Sequence, residues 1–168
     1  MKSLKTSQLS LDVWQTFIQS EERLKFEYFQ DMNLDSIENK RLEGLWLAEK
    51  LIGLALLHPN QDLTYQTEIK DYCICRYGGK GNCSELFEYL NEIFPLYQSG
   101  MTLEIFSIHE DFQDSGYGSW WVKQLKERYP SLLLYAGIAT EEFWERQGFD
   151  SLVLDYYVYP FVEDLIDY

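Results

Sequence analysis

Between Met101 and Gly118 the chain reads M-T-L-E-I-F-S-I-H-E-D-F-Q-D-S-G-Y-G. A largely apolar strand breaks into a polar loop, and glycines at 116 and 118 stand just before a helical stretch. A glycine-containing turn that opens a helix leaves the first backbone N–H groups without intrahelical acceptors, and they converge where the helix dipole favours an anion. The junction therefore predicts a strand–loop–helix unit that can hold a phosphate group.

The flanking segments supply the rest of a sheet. Ser10 and Asp12 precede V-W-Q-T-F-I-Q-S-E-E-R-L, where Val13, Trp14, Phe17 and Ile18 share one helical face, and the polar stretch from Asp31 to Arg41 ends that helix. Leu42 to Leu57 reads as two strands around a turn at Ala48 to Lys50, closed by H-P-N-Q-D at 58 to 62. A short strand is expected over Ile69 to Tyr77, a loop over Gly78 to Asn82, and then a helix carrying Leu86, Phe87, Leu90, Ile93 and Phe94, with Ser84 as a candidate cap. Downstream of the glycines the expectation is a helix over about Ser119–Arg128, a strand over Leu132–Ala136, a helix over about Thr140–Gln147 stopped by Gly148, and a β-rich tail. Strands alternating with helices predict an α/β fold with a mixed, largely antiparallel central sheet flanked by helices. The simplest organisation is one domain over residues 1–168, with residues 61–100 as an insertion.

Charge restricts the partners. The chain carries 14 basic and 28 acidic residues, a net charge of −14, which repels nucleic acid and anionic lipid and favours a cationic small amine or a basic peptide end. The N-terminal segment has no apolar core of secretory length, and the apolar run from Leu45 to Leu57 is too short to span a bilayer, so a cytoplasmic protein is expected. Cys73, Cys75 and Cys83 lack paired C-x-x-C spacing and read as free thiols, with no metal site. Tyr156, Tyr157, Tyr159 and Phe161 form an aromatic tail suited to strand pairing between subunits, as in a homodimer.

The loop is not a P-loop, since no Gly-Lys-Ser/Thr follows, and it lacks the three-glycine dinucleotide fingerprint. Order and spacing are more specific. Gln113-x-x-Gly116-x-Gly118 follows an apolar strand, E-F-W-E-R-Q-G-F occupies 142 to 149 one strand and one helix later, and W-L-A-E-K-L-I-G at 46 to 53 lies on the earlier hairpin. This arrangement resembles the GNAT superfamily of acyl-CoA-dependent N-acetyltransferases, whose pattern is Gln/Arg-x-x-Gly-x-Gly/Ala followed by a phrase like F-Y-x-x-x-G-F. The resemblance implies acetyl-CoA as cofactor: the strand bearing Phe106 and Ile108 would pair with the pantetheine arm. Backbone amides from Gln113 through Asp114, Ser115, Gly116, Tyr117 and Gly118 to Ser119 would receive the pyrophosphate. Asp111 and Asp114 oppose that role electrostatically, with Lys123, Lys126 or Arg146 available to compensate.

Transfer to an amine needs the neutral base, and an alkyl ammonium with a pKa near ~10.4 is neutral in only about one molecule in a few thousand at pH 7. Glu104 is the candidate base, because relatives often carry one there and strand parity gives it the face of Phe106 and Ile108. An ordinary polar strand residue is the competing reading. The tyrosine that relatives use to protonate the departing thiolate is replaced by Trp144, and Gly137 stands near the place of a frequent asparagine. These departures keep open a second function, a catalytically degenerate GNAT-like binding or regulatory module. Neither His58, ending a strand, nor His109, leaving one, has a fixed nucleophile beside it, so both read as surface or loop residues. The C-terminal V-E-D-L-I-D-Y reads as a solvated acidic tail.

Overall fold

The hairpin expected over Leu42–Leu57 forms the second and third strands of a seven-stranded sheet in the computed structural model, which describes residues 3–29, 32, 40–60, 88–89, 91–153 and 156–165. The strands are β1 (Leu4–Gln8), β2 (Arg41–Leu47), β3 (Lys50–Pro59), β4 (Met101–Ile108), β5 (Leu132–Tyr135), β6 (Asp150–Val153) and β7 (Tyr156–Tyr159), in the spatial order β1-β2-β3-β4-β5-β7-β6. β4 and β5, joined through a helix, are parallel, and every other neighbouring pair is antiparallel. The sheet is thus mixed and mostly antiparallel, as expected. Helices whose bounds lie within the described residues are α1 (Leu11–Ile18), α2 (Tyr117–Arg128), α3 (Glu141–Arg146) and α4 (Val162–Leu165). None among the described residues is long and apolar enough to cross a membrane.

Side-chain alternation divides the core into two layers. On one face Ala55, Leu57, Leu103, Leu132 and Leu134 meet Trp121, Val122 and Leu125 of α2 and Trp144 of α3. On the other, Leu42, Leu54 and Leu56 meet Trp14 and Phe17 of α1 together with Phe26 and Phe29, while Leu133 and Val158 meet Ile93, Tyr97 and Val162. Gly53 is required by this packing: a Cβ there would stand 2.7 Å from the Trp121 ring and 3.0 Å from Leu45 Cβ. Truncating a side chain as large and buried as Trp121 costs about 3–5 kcal/mol, so α2 is held firmly against the strands that carry the site.

Several boundaries differ from the sequence expectation. Ser10 caps α1 by accepting Val13 N–H at 3.4 Å, but the helix ends at Ile18 rather than near Asp31, because the Ser20 hydroxyl takes the Phe17 carbonyl and a single 3-10 turn follows at Glu21–Lys25. Val13 is exposed, whereas Trp14 and Phe17 are buried. β1 has no apolar signature; as an edge strand beside β2 it has mostly exposed residues. α2 begins at Tyr117, so Gly118 lies inside its first turn rather than in the loop. The aromatic tail forms β7, both of whose edges are taken within the chain by β5 and β6, so it offers no open edge to a second subunit. The acidic tail is not simply solvated either, since Val162 is buried and Leu165 packs beside it. The expected strand at 69–77, the loop at 78–82, Ser84 and the three cysteines lie outside the described residues.

Candidate functional site

β4 and β5 pair over only three positions, Met101 with Leu132, Thr102 with Leu133 and Leu103 with Leu134. β4 then continues to Ile108 against β3 alone, while β5 stops at Tyr135. From Glu104 to Ile108 the β5-facing edge of β4 has no strand beside it among the described residues. Unpaired main-chain groups on such an edge accept an extended ligand in place of a strand.

The strands part at a β-bulge. Leu56 opposes Ile105 and Leu57 opposes Leu103, which leaves Glu104 as the extra residue. The bulge breaks the two-residue alternation, so Glu104 does not share the face of Phe106 and Ile108 as parity had implied. Phe106 and Ile108 pack toward α2 and α3, with the Phe106 ring 5.1 Å from Trp121 and 5.4 Å from Trp144. The Glu104 carboxylate instead meets Lys40 Nζ at 2.7 Å and lies 3.8 Å from His58 Nε2. Glu104 is about one-third exposed, so the Lys40 pair contributes little to stability, on the order of 0–1 kcal/mol, and an incoming cation can exchange with it. His58 had no assigned role in the sequence; only the β3–β4 register, which places it opposite Thr102, brings it to Glu104.

At the other end of β4 lies the loop that was expected to receive an anion. Gly116 is the N-cap of α2 at φ +79°, offers no side-chain acceptor, and faces open space where a Cβ would project. The first helical bond runs from Trp120 N–H to Gly116 C=O, so the amides of Tyr117, Gly118 and Ser119 precede it. With those of Asp114, Ser115 and Gly116 they have no acceptor among the described residues. The Gln113 amide differs from the expectation, because it already donates to Glu110 C=O at 3.4 Å; its side chain donates to Ile108 C=O at 3.1 Å and ties strand to loop. The Ser115 hydroxyl donates to Gln113 C=O, and the Ser119 hydroxyl accepts from Gln147 Nε2. Gly118 lies near Phe143, which forms a wall beside the helix start.

Charge around this loop is arranged less simply than the sequence implied. Asp111 turns toward His109, with 3.9 Å between its carboxylate and Nδ1, while Asp114 stays exposed at φ +56°. The compensating cations are engaged elsewhere. Lys123 pairs with Glu127 and Arg146 with Glu142; Lys126 donates to Gln147 C=O at 2.6 Å over the Tyr159 ring, with burial lowering its pKa. An anion held there would therefore rely on main-chain N–H groups and the helix dipole.

His109 is buried rather than on the surface, and it anchors the loop. Its ring stands edge-on to Phe26 and Phe112 at 5.3 Å each, and Nδ1 accepts Asp111 N–H at 3.1 Å. An accepting Nδ1 assigns the proton to Nε2, which lies 3.3 Å from Glu22 Oε2. Lys25 pairs with Glu110 alongside, so two polar links join the segment after α1 to the loop. Trp144 is buried against Phe106, Phe143 and Phe149 and presents no hydroxyl.

No protein-family model matches the sequence, and no curated protein matches it. Solved structures do match in three dimensions. An acetyltransferase from Thermus thermophilus superposes with a TM-score of 0.61 at 16% identity, over 95% of this chain and 97% of that one. An N-acetyltransferase from Bacillus subtilis in complex with coenzyme A gives a TM-score of 0.58 at 14% identity, over 94% and 96%. A GNAT family acetyltransferase from Elizabethkingia anophelis with acetyl-CoA bound gives 0.52 at 12% identity, over 89% of this chain and 78% of that one. Together with the mixed sheet, the parting of β4 from β5 and the glycine-opened α2, these likenesses show that the chain has the GNAT acetyltransferase fold.

Proposed function

We propose that the protein is an acyl-CoA-dependent N-acetyltransferase that moves an acetyl group from acetyl-CoA to a primary amine by direct attack. The observation that carries this reading is the opening of β4 from β5 at the Glu104 bulge, on the same strand that leads into the uncapped start of α2. The residues present fit the cofactor: the free edge from Glu104 to Ile108 suits an extended pantetheine amide chain. The amides from Asp114 to Ser119, with open space at Gly116, suit a pyrophosphate. Bound there, acetyl-CoA would supply an activated acyl carbonyl. The solved neighbours that carry coenzyme A or acetyl-CoA support the same assignment.

Glu104 is the proposed base. Its carboxylate already holds the ammonium of Lys40, which supports an amine acceptor at this position, and a substrate ammonium would exchange with it. Glu104 would hold the amine and take its proton, and His58 at 3.8 Å lies next on a route to solvent. The net charge of −14 draws cationic acceptors toward the protein, whether small amines or basic peptide ends. A cytoplasmic location is part of this proposal.

The buried Trp144 favours the second reading, a catalytically degenerate GNAT-like binding or regulatory module, because it removes the usual acid. A thiolate with a pKa near ~8.5 can take its proton from water, which keeps the enzyme reading first. Calorimetric titration with acetyl-CoA, followed by thiol-release assays across an amine panel, separates the two. Binding with turnover, reduced by about 10²–10⁴-fold in Glu104→Gln, supports the enzyme. Binding without turnover of any amine supports the module, and no binding at millimolar acetyl-CoA refutes the enzyme.

A further inference from the structure

On the α1 face of the sheet, between α1 and the β2–β3 turn, lies an open cavity of about 590 Å³. Its walls include Phe17, Phe26, Trp46 and Val13, and Asp12 and Glu49 stand among the lining residues. Leu51, also in the lining, is seven residues from His58 along β3, or about 23 Å at the rise of an extended strand, so the cavity is remote from Glu104. That volume falls in the range of small-molecule sites.

The charge of the cavity is unbalanced. Among the described residues Lys50 is its one cationic lining residue, and that ammonium stands 4.8 Å over the Phe112 ring. Neighbouring Lys25 is paired with Glu110. Glu22, a further lining residue, is directed to His109 Nε2. Asp12 and Glu49 have no ion pair among the described residues. A cavity with aromatic walls and two uncommitted carboxylates complements a cation on an apolar stem, which gains charge pairing together with cation–π contact.

We propose that this cavity is a second ligand site, for a small organic cation made of an ammonium on an aromatic or aliphatic body. Its existence does not depend on the acetyltransferase reading. Trp46 supplies a reporter, because its indole N–H donates to Ser7 Oγ at 2.9 Å and has a resolved signal of its own once assigned.

The test titrates the full chain with benzylammonium, with benzyl alcohol as the uncharged control, following nitrogen–proton NMR spectra and calorimetry. Benzylammonium should shift the Trp46 indole signal saturably and bind at least about tenfold more tightly than the alcohol. The doubly substituted Asp12→Asn/Glu49→Gln protein should lose about tenfold in affinity, its unchanged spectrum elsewhere showing that it is folded. Equal binding of alcohol and ammonium would overturn the proposal, as would affinity unchanged in the double variant. Binding that is lost in Glu104→Gln but retained in the double variant would place the cation at the acceptor site and also overturn it. Failure of acetyl-CoA binding, measured separately, bears only on the proposed function.

Discussion

The two glycines of the loop should respond in opposite directions to alanine. Gly116 sits at φ +79°, where an L-residue pays roughly 1–2 kcal/mol. The restricted unfolded chain returns about 0.4–1 kcal/mol of that, leaving a net loss near 0.5–1 kcal/mol. Gly118 is in the first turn of α2, its added Cβ would sit 3.5–3.7 Å from Phe143, Ile108 and Phe106, and no displacement is needed. There alanine gains the helical preference, about 0.5–1 kcal/mol. For a chain of this size 1 kcal/mol moves Tm by about 2–4 °C, so Gly116→Ala should melt about 1–4 °C below the parent and Gly118→Ala about 1–4 °C above it. Scanning calorimetry without ligand measures this, and acetyl-CoA titration adds a second readout. Gly116→Ala places a methyl in the open space before the α2 amides and should weaken binding at least about tenfold, whereas Gly118→Ala should bind like the parent. Equal thermal shifts of the same sign, or tight binding by Gly116→Ala, would refute the proposed pyrophosphate site at Gly116.

Other outcomes follow from charge. Glu43 is fully buried and receives Arg128 Nη1 at 2.7 Å on both oxygens, Arg41 Nε at 2.7 Å and the Tyr129 hydroxyl at 3.0 Å. Arg128→Met leaves that carboxylate short of its main partner and should cost about 3–5 kcal/mol in chemical denaturation, more than Glu43→Gln, whose guanidinium partners are each about one-third exposed and can turn to water. The reverse order would be incompatible with the buried group being the carboxylate. Burial, and then the Glu43 charge, raise the Tyr129 pKa above its usual value near 10, so its contribution is intact below pH 10 and is lost as pH rises through the folded value. Tyr129→Phe should therefore show a shallower alkaline decline in Tm, and an unchanged slope would remove Tyr129 from that titration. Asp114→Asn should tighten acetyl-CoA binding by about threefold at low salt, an effect that added salt erases.

Local order in the sequence was enough for much of the scaffold. Alternating apolar residues marked the β2–β3 hairpin, Ser10 marked the start of α1, and Gly148 at φ +75° stops α3 where glycine was expected to. Such features depend on a few neighbouring residues, so they survive without knowledge of the rest of the chain. β1 escaped notice because its mostly exposed residues have no apolar period, and α4 because a short acidic segment reveals its buried side only once Ile93 and Tyr97 are beside it.

The chain alone determined that a strand enters a glycine-opened helix and that a mixed sheet surrounds it. Pairing between distant segments decided the rest. The register of β3 against β4 creates the bulge that turns Glu104 away from Phe106 and toward Lys40 and His58. The short overlap of β4 with β5 opens the edge, and burial between Phe26 and Phe112 makes His109 an anchor of the loop. A one-residue change of register reverses which face a side chain occupies at almost no cost in local propensity, so only the packed structure could choose among the alternatives.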